Sequence, residues 1–290
     1  SIVADVRNRK RMEVIFKKFN PSIVFHAAAY KHVPFMEENP YEAIHVNIAG
    51  TKIIADMAMK YNAEKFVMIS TDKAVNPTNV MGATKRIAEM YINCLNGQST
   101  TKYITTRFGN VLGSNGSVIP LFKAQIKMGG PLTLTHKDIT RFFMTIPEAC
   151  QLVLEAGAMG AGGEIFVFDM GESIKIYDLA RNMIHLSGLN YPDDIDIKIT
   201  GLRPGEKIYE ELLDDGENTT ATYHEKIMIA NVKEIDKDIV KAQIEALCEM
   251  NKELDFQKSV QAMKEIVPEF ISNNSYYEVL DTVNTSNNNE

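Results

Sequence analysis

Apolar residues fall in short, β-branched runs separated by stretches of helical spacing along the first two-thirds of the chain, a pattern that predicts parallel strands joined by crossover helices. Ile23-Val24-Phe25 is the first clear strand, Phe66-Val67-Met68-Ile69 the next, Lys102 to Thr106 a third and Gly163 to Phe168 a fourth. Between them, Ile44, Ile48, Ile54 and Met57 or Ala58 mark a helix from about Tyr41 to Tyr61. A second helix, Val80 to Leu95, is entered through the Pro- and cap-bearing turn Asn76-Pro77-Thr78-Asn79, and a third, Ile176 to Leu186, is ended by Gly188. Residues 233–271 read as helical and highly charged. From Ser272 the chain is rich in Asn, Ser and Thr, which predicts a disordered tail over 272–290. The expected fold is α/β, a doubly wound parallel sheet followed by C-terminal helices.

Composition narrows the function more than the fold. At 290 residues, 45% hydrophobic and 24% charged, the chain has the makeup of an ordinary globular protein. A net charge of -7 argues against a nucleic-acid partner, whose phosphates draw on clustered Lys and Arg. Cys94, Cys150 and Cys248 are too far apart for a zinc motif or a disulfide framework, so no metal is expected. No stretch approaches the roughly 20 apolar residues of a membrane span, so this segment is expected to be cytoplasmic and to make no membrane contact. Ser1 to Val6 reads as a strand tail running straight into a basic helix, as in a chain cut from something longer.

Ligands of open parallel sheets gather at the carboxyl ends of the strands, and three such ends carry chemistry here. The first strand leads into His26-Ala27-Ala28-Ala29, small residues that let a flat cofactor approach the backbone. The second leads into Ser70-Thr71-Asp72-Lys73, with hydroxyl, acid and base in consecutive positions. The third leads into Arg107-Phe108-Gly109-Asn110-Val111. Beyond the second, Met81 and Lys85 are four apart and share a helix face.

Thr71-Asp72-Lys73 followed by Lys85 resembles the extended short-chain dehydrogenase/reductases that dehydrate UDP-N-acetylglucosamine. Met81 stands where that family usually has Tyr. With His26 to Pro34 and Asn76 to Met81, it resembles the membrane-anchored polysaccharide-biosynthesis branch, whose parent proteins lie on the cytoplasmic face of the bacterial inner membrane. The resemblance implies a Rossmann-like fold lacking its first βαβ part. An NAD-binding domain then covers residues 1–110 and about 136–172, and a smaller α+β domain for the nucleotide sugar covers about 111–135 and 173–232. It further implies NAD or NADP contacts from Asp5, Val6, Ala27, Ala28, Ala29, Asn47, Ser70, Lys85, Phe108, Asn110 and Val111. For a UDP-sugar it implies Lys31, His32, Asn110, Ser117, Val118, Pro120, Arg141, Arg203 and Glu206. Arg203 in Gly201-Leu202-Arg203-Pro204-Gly205-Glu206-Lys207 offers a planar donor fork suited to a diphosphate, and Glu206 could accept from a ribose hydroxyl. A homo-oligomer is implied too, with the helices 41–61 and 80–95 as the pair this family commonly uses for dimers.

The implied reaction oxidises C4 of UDP-N-acetylglucosamine, removes the C5 proton with Lys73, expels the C6 hydroxyl as water with Asp72 as acid, and returns hydride to C6. It asks for a protonated Asp72 and a neutral Lys73 beforehand, a state that burial favours. Thr71 would hydrogen-bond the C4 hydroxyl, and Met81 cannot act as the base that Tyr supplies. A C4 epimerase or reductase on the same scaffold, or a non-catalytic sugar-nucleotide-binding fragment, is the alternative. The fragment reading draws on the lack of a G-x-G-x-x-G turn in these 290 residues, which predicts weak cofactor binding by the chain alone.

Overall fold

A computed structural model describes residues 1–213 and 218–281. Its centre is a six-stranded sheet built from β1 (Ile23–His26), β2 (Lys65–Ile69), β3 (Lys102–Arg107), β4 (Ile165–Phe168), β5 (Asn218–Ala221) and β6 (Ile227–Asn231), in the order β1-β2-β3-β4-β6-β5. The first four are parallel, as the alternating pattern predicted. β6 pairs antiparallel with β4, and β5 antiparallel with β6. The stretch 218–231, expected in the nucleotide-sugar domain, therefore extends the main sheet. Ile227 and Ile229 join the apolar layer of Phe166 and Phe168, which the charged-looking flanks had obscured.

The helices are α1 (Arg9–Phe19), α2 (Thr51–Lys60), α3 (Val80–Leu95), α4 (Val118–Lys127), α5 (Ile146–Met159), α6 (Ile176–Leu186), α7 (Lys237–Met250) and α8 (Phe256–Ile266). Because successive strand residues face opposite ways, Phe66 and Met68 pack into the core shared with α2 and α3, while Val67 packs with Leu152 and Ala156 of α5. The expected helix 41–61 is interrupted: Pro40–Ala43 is α-helical, Ile44–Gly50 is a π-helical turn, and α2 follows. That wide turn presents Asn47 inward, where its amide clasps both backbone groups of Tyr30 and the Thr84 hydroxyl.

α4 and α6 form the smaller unit around Phe122, Leu132, Ile184 and Ile197, with Leu132–Leu134 parallel to Ile197–Ile199. α7 and α8 bring Val240, Ile244, Leu247, Val260 and Met263 into the core that also holds Ile87 and Leu95 of α3. The C-terminal helices thus cover part of α3, one of the two helices that the resemblance associates with a dimer. Residues 272–281, expected to be disordered, are folded against the body. Asn273 N donates to Thr78 O (3.1 Å) and its carbonyl accepts from Gly205 N (2.8 Å), while Ser275 Oγ donates to buried Glu37. Polar side chains that looked like a solvated tail are satisfied by partners distant in sequence. Residues 282–290 lie outside the described residues. Among the described residues no helix is long and apolar enough to cross a membrane.

Candidate active site

The carboxyl end of β2 turns sharply into a 3-10 turn, Asp72–Ala74, whose backbone is anchored to the neighbouring strand end: Ser70 N donates to Thr106 O (2.7 Å) and Asp72 N to Phe108 O (3.2 Å). The turn forces three side chains together. Thr71 Oγ1 donates to Asp72 Oδ1 (2.8 Å), and Lys73 Nζ donates to the same oxygen (2.9 Å) and to Asn110 Oδ1 (3.4 Å). Asp72 is fully buried, and its Oδ2 has no hydrogen-bond partner within the protein. A buried, unpaired carboxylate oxygen is costly, so its place in a cluster of hydroxyl, acid and amine marks a site shaped for a donor that is not protein.

Burial alone would pull the Lys73 ammonium down, but the carboxylates of Asp72 and Glu210 outweigh it and hold Lys73 above its ordinary value. The neutral Lys73 that the implied reaction asks for beforehand is thus opposed by these two carboxylates. The proton rests on the amine because two acids face it.

α3 is locked against this turn. Its cap, Asn79, accepts from Gly82 N (2.7 Å) with Oδ1 and donates to Gly205 O (2.9 Å) with Nδ2. A Cβ at Gly82 would sit 2.1 Å from the Lys73 carbonyl oxygen, so only glycine lets the helix start so close to the site. Gly205, at φ 76°, is equally confined: its Cβ would lie 2.4 Å from that of Asn79. Met81 is buried, and one turn on Lys85 donates to Ile69 O (2.7 Å). Burial lowers the Lys85 amine to about 8, against a raising pull from Glu89. Glu89 is itself held by fully buried Arg107 at 2.7 Å and lies beside Ser70.

The other expected residues divide into two groups. Ala27 and Ala28 are exposed and Ala29 is half-buried beyond β1, open to a ligand. Lys31 reaches Ser114 (3.3 Å), and the His32 ring lies against Gly116, its proton affinity lowered by partial burial and by Lys31 and Arg203. Ser117 caps α4 in position but not by a side-chain bond, Val118 follows half-buried, and Pro120 is exposed. Arg203 is exposed and is steadied by Glu206 at 3.0 Å.

Six of the expected residues have partners within the protein. Asn47 is fully buried in the clasp described above. Phe108 stacks on Phe168 at 5.4 Å and 4°, within the core. Arg141 donates to the carbonyls of Thr140, Lys207 and Ile208, so its fork supports the loop around 207. Glu206 turns its carboxylate to Arg203. Asp5, lowered to about 2 by hydrogen bonds from Arg7, is likewise engaged, and Val6 beside it packs toward Gly50. Asp5 and Glu206 are paired with near neighbours in sequence, Arg7 and Arg203, whereas Asn47 and Arg141 are held by Tyr30, Thr84, Lys207 and Ile208, which only the fold brings near. Asn110 and Val111 pair with Phe143–Met144 and reach the cluster through Asn110.

Glu210 was not foreseen, and Asn79 was foreseen only as part of the capping turn. Asn79 carries a signal in its cap position before α3, whereas Glu210 sits among ordinary charged residues and comes to 3.4 Å from Lys73 only through the fold. Two open surface depressions, of about 610 and 590 Å³, lie elsewhere, around Arg181 and Gln151, and include none of these residues. Among the described residues no His, Cys, Asp and Glu cluster is arranged for a metal ion.

Residues 1–232 match the family described as polysaccharide biosynthesis protein. The chain is 57% identical over 247 residues to the capsular polysaccharide biosynthesis protein CapD of Staphylococcus aureus, covering 85% of this chain and 41% of that protein. It is 36% identical over 242 residues to a UDP-N-acetylglucosamine 4,6-dehydratase (inverting) of Campylobacter jejuni, covering 81% and 69%. It is 40% identical over 214 residues to a UDP-glucose 4-epimerase of Rickettsia canadensis, covering 73% and 61%. The chain thus spans about two-fifths of the length of the capsular relative.

Proposed function

The chain belongs to the polysaccharide biosynthesis protein family, and from that premise we propose that it carries the catalytic centre of a UDP-N-acetylglucosamine 4,6-dehydratase acting in surface-polysaccharide synthesis. The observation that carries this reading is the Asp72–Lys73 contact at 2.9 Å, capped by Thr71, with the second Asp72 oxygen buried and unpaired. Elimination of water across C5 and C6 needs an acid and a base side by side. Moving one proton from Lys73 Nζ to Asp72 Oδ1 turns the resting ion pair into that acid and that base. A bound sugar that excludes water favours the move, because desolvation penalises both charges. Neutral Lys73 then takes the C5 proton, protonated Asp72 gives its proton to the departing C6 hydroxyl, and water leaves with atoms and charge balanced.

Oxidation at C4 and return of hydride to C6 are the chemistry that NAD or NADP supplies when bound. The residues present fit the nicotinamide end of such a cofactor: a bare run of small residues after β1 and a buried amine, Lys85, with an unusually labile proton. The adenine end has less to hold it, since the Asp5 carboxylate is engaged by Arg7. Thr71 orients the C4 hydroxyl, and Arg203, the one exposed guanidinium of its loop, binds the diphosphate.

A C4 epimerase is the second reading, favoured by the 40% identity to the rickettsial enzyme. It has no use for an acid poised beside a base. Incubation of UDP-N-acetylglucosamine with the gene's complete product and NAD, followed by mass spectrometry, separates the two. Loss of one water, abolished in Asp72→Asn and Lys73→Met, supports dehydration. An epimer of unchanged mass, or full turnover by both variants, refutes it.

A further inference from the structure

Lys73 is gripped from two sides, and the second grip comes from a loop that carries no part of the Thr-Asp-Lys run. Glu210 lies 137 positions further along the chain (210 minus 73), is buried, and places Oε1 3.4 Å from Lys73 Nζ and 3.5 Å from Arg141 Nε. Its Oε2 is buried without a hydrogen-bond partner. Arg141 continues the contacts to Glu206 at 3.7 Å, and Glu206 to Arg203 at 3.0 Å. A line of alternating charges therefore runs from the Asp72–Lys73 pair to the exposed arginine of the nucleotide loop.

We propose that Glu210 is a positioning residue for Lys73: it holds the amine in register over Asp72 as an ammonium, and it ties that amine to the loop bearing Arg203. The charged groups facing the Lys73 amine are Asp72 from its own turn, Glu210 from the 201–211 loop and Arg141 from the strand Thr140–Arg141. The two carboxylates favour the charged amine and the guanidinium opposes it, in agreement with the raised proton affinity of Lys73. Glu210 thereby biases the proton shared by Asp72 and Lys73 toward Lys73 and delays formation of the reactive neutral pair. A movement of the nucleotide loop that draws Glu210 from Lys73 removes the bias. Loop position and the proton on Lys73 are then one coupled event.

The inference rests on Asp72 and Lys73 being the chemical centre, and its test is run without substrate, so that the two can fail separately. In protein labelled with ¹³C- and ¹⁵N-lysine, with Lys73 assigned through Lys73→Arg, the side-chain signals are followed with pH. In the wild type Lys73 is expected to titrate above the exposed lysines. Glu210→Gln should lower its midpoint by about one pH unit, a tenfold fall in proton affinity. Glu210→Asp, which keeps the charge on a shorter stem and guards against loss of folding in the first variant, should fall between. Glu211→Gln, whose side chain pairs with Lys207 at 3.0 Å, should change nothing. An unmoved midpoint in Glu210→Gln, a Glu210→Asp midpoint at or below that of the Gln variant, or an equal shift in Glu211→Gln overturns the proposal.

Discussion

β1 and β2 lie side by side and in register, yet their carboxyl ends are furnished in opposite ways. β2 is buried from Phe66 to Met68 and ends in a turn whose side chains are bonded to one another and to Asn110 and Glu210. β1 is the edge of the sheet, with Ile23 48% and Phe25 44% exposed, and it ends in two exposed alanines. Among the described residues it is the β2 end whose side chains are held by one another. If Asp72 and Lys73 are the acid and base proposed above, these internal bonds preorganise them, which makes charged groups effective. The small residues beyond β1 offer shape without a fixed partner.

The sharpest way to break this comparison is at the furnished end. Lys73→Met or Asp72→Asn in the complete gene product should reduce dehydratase turnover by about a hundred- to ten-thousand-fold, the span of general acid-base catalysis, as read by the rate of 4-keto product formation. Equal losses from changes at Ala27 or Ala28 would erase the distinction between the two ends. Next comes the sheet itself. Phe66 is fully buried between the rings of His26 and Tyr103, so Phe66→Ala should cost about 3–5 kcal/mol in urea unfolding, whereas Phe25→Ala at the half-exposed edge should cost clearly less.

Lys85 gives a smaller effect with a defined sign. Its amine titrates near 8 when folded and at its ordinary value of 10.5 when unfolded, so between these limits the unfolded chain holds more protons and stability rises with pH. From pH 8 to 10 the wild type should gain roughly 2 kcal/mol relative to Lys85→Met, by paired denaturant curves. A flat difference would mean the amine is not desolvated. The smallest effect concerns the join between the two loops. Asn79→Ala removes the cap of α3 and the bond to the Gly205 carbonyl, and should cost about 1 kcal/mol while raising hydrogen exchange at the Gly82 amide, which donates to Asn79.

The sheet was legible because its strands are buried on both sides and read as unbroken apolar runs, as at Phe66 to Ile69 and Ile165 to Phe168. The Thr71-Asp72-Lys73 cluster was legible because its members are adjacent in sequence and a strand end points them one way. Contacts made at long range were hidden. Arg141 has the chemistry of a ligand contact, and nothing local announces that the carbonyls of Lys207 and Ile208 will claim it. Asn47 was read as a cofactor contact, and its clasp on Tyr30 depends on a π-helical turn that periodicity at 3.6 cannot reveal. The order of residues 272–281 escaped for the same reason, since their partners lie near positions 37, 78 and 205.

That last segment has a consequence for the timing of assembly. The bond between Ser275 and Glu37 spans 238 positions, and Asn273 reaches back to both Thr78 and Gly205. A chain emerging amino end first can pair β1 to β4 and form the acid-base turn while still being made, because those partners come early. The loop carrying Arg203 gains these anchors only when the last of the described residues are free to fold back. The first four strands can therefore pair long before this loop is anchored, and a nascent or clipped chain would hold the Asp72–Lys73 contact in place while the loop bearing Arg203 hung loose.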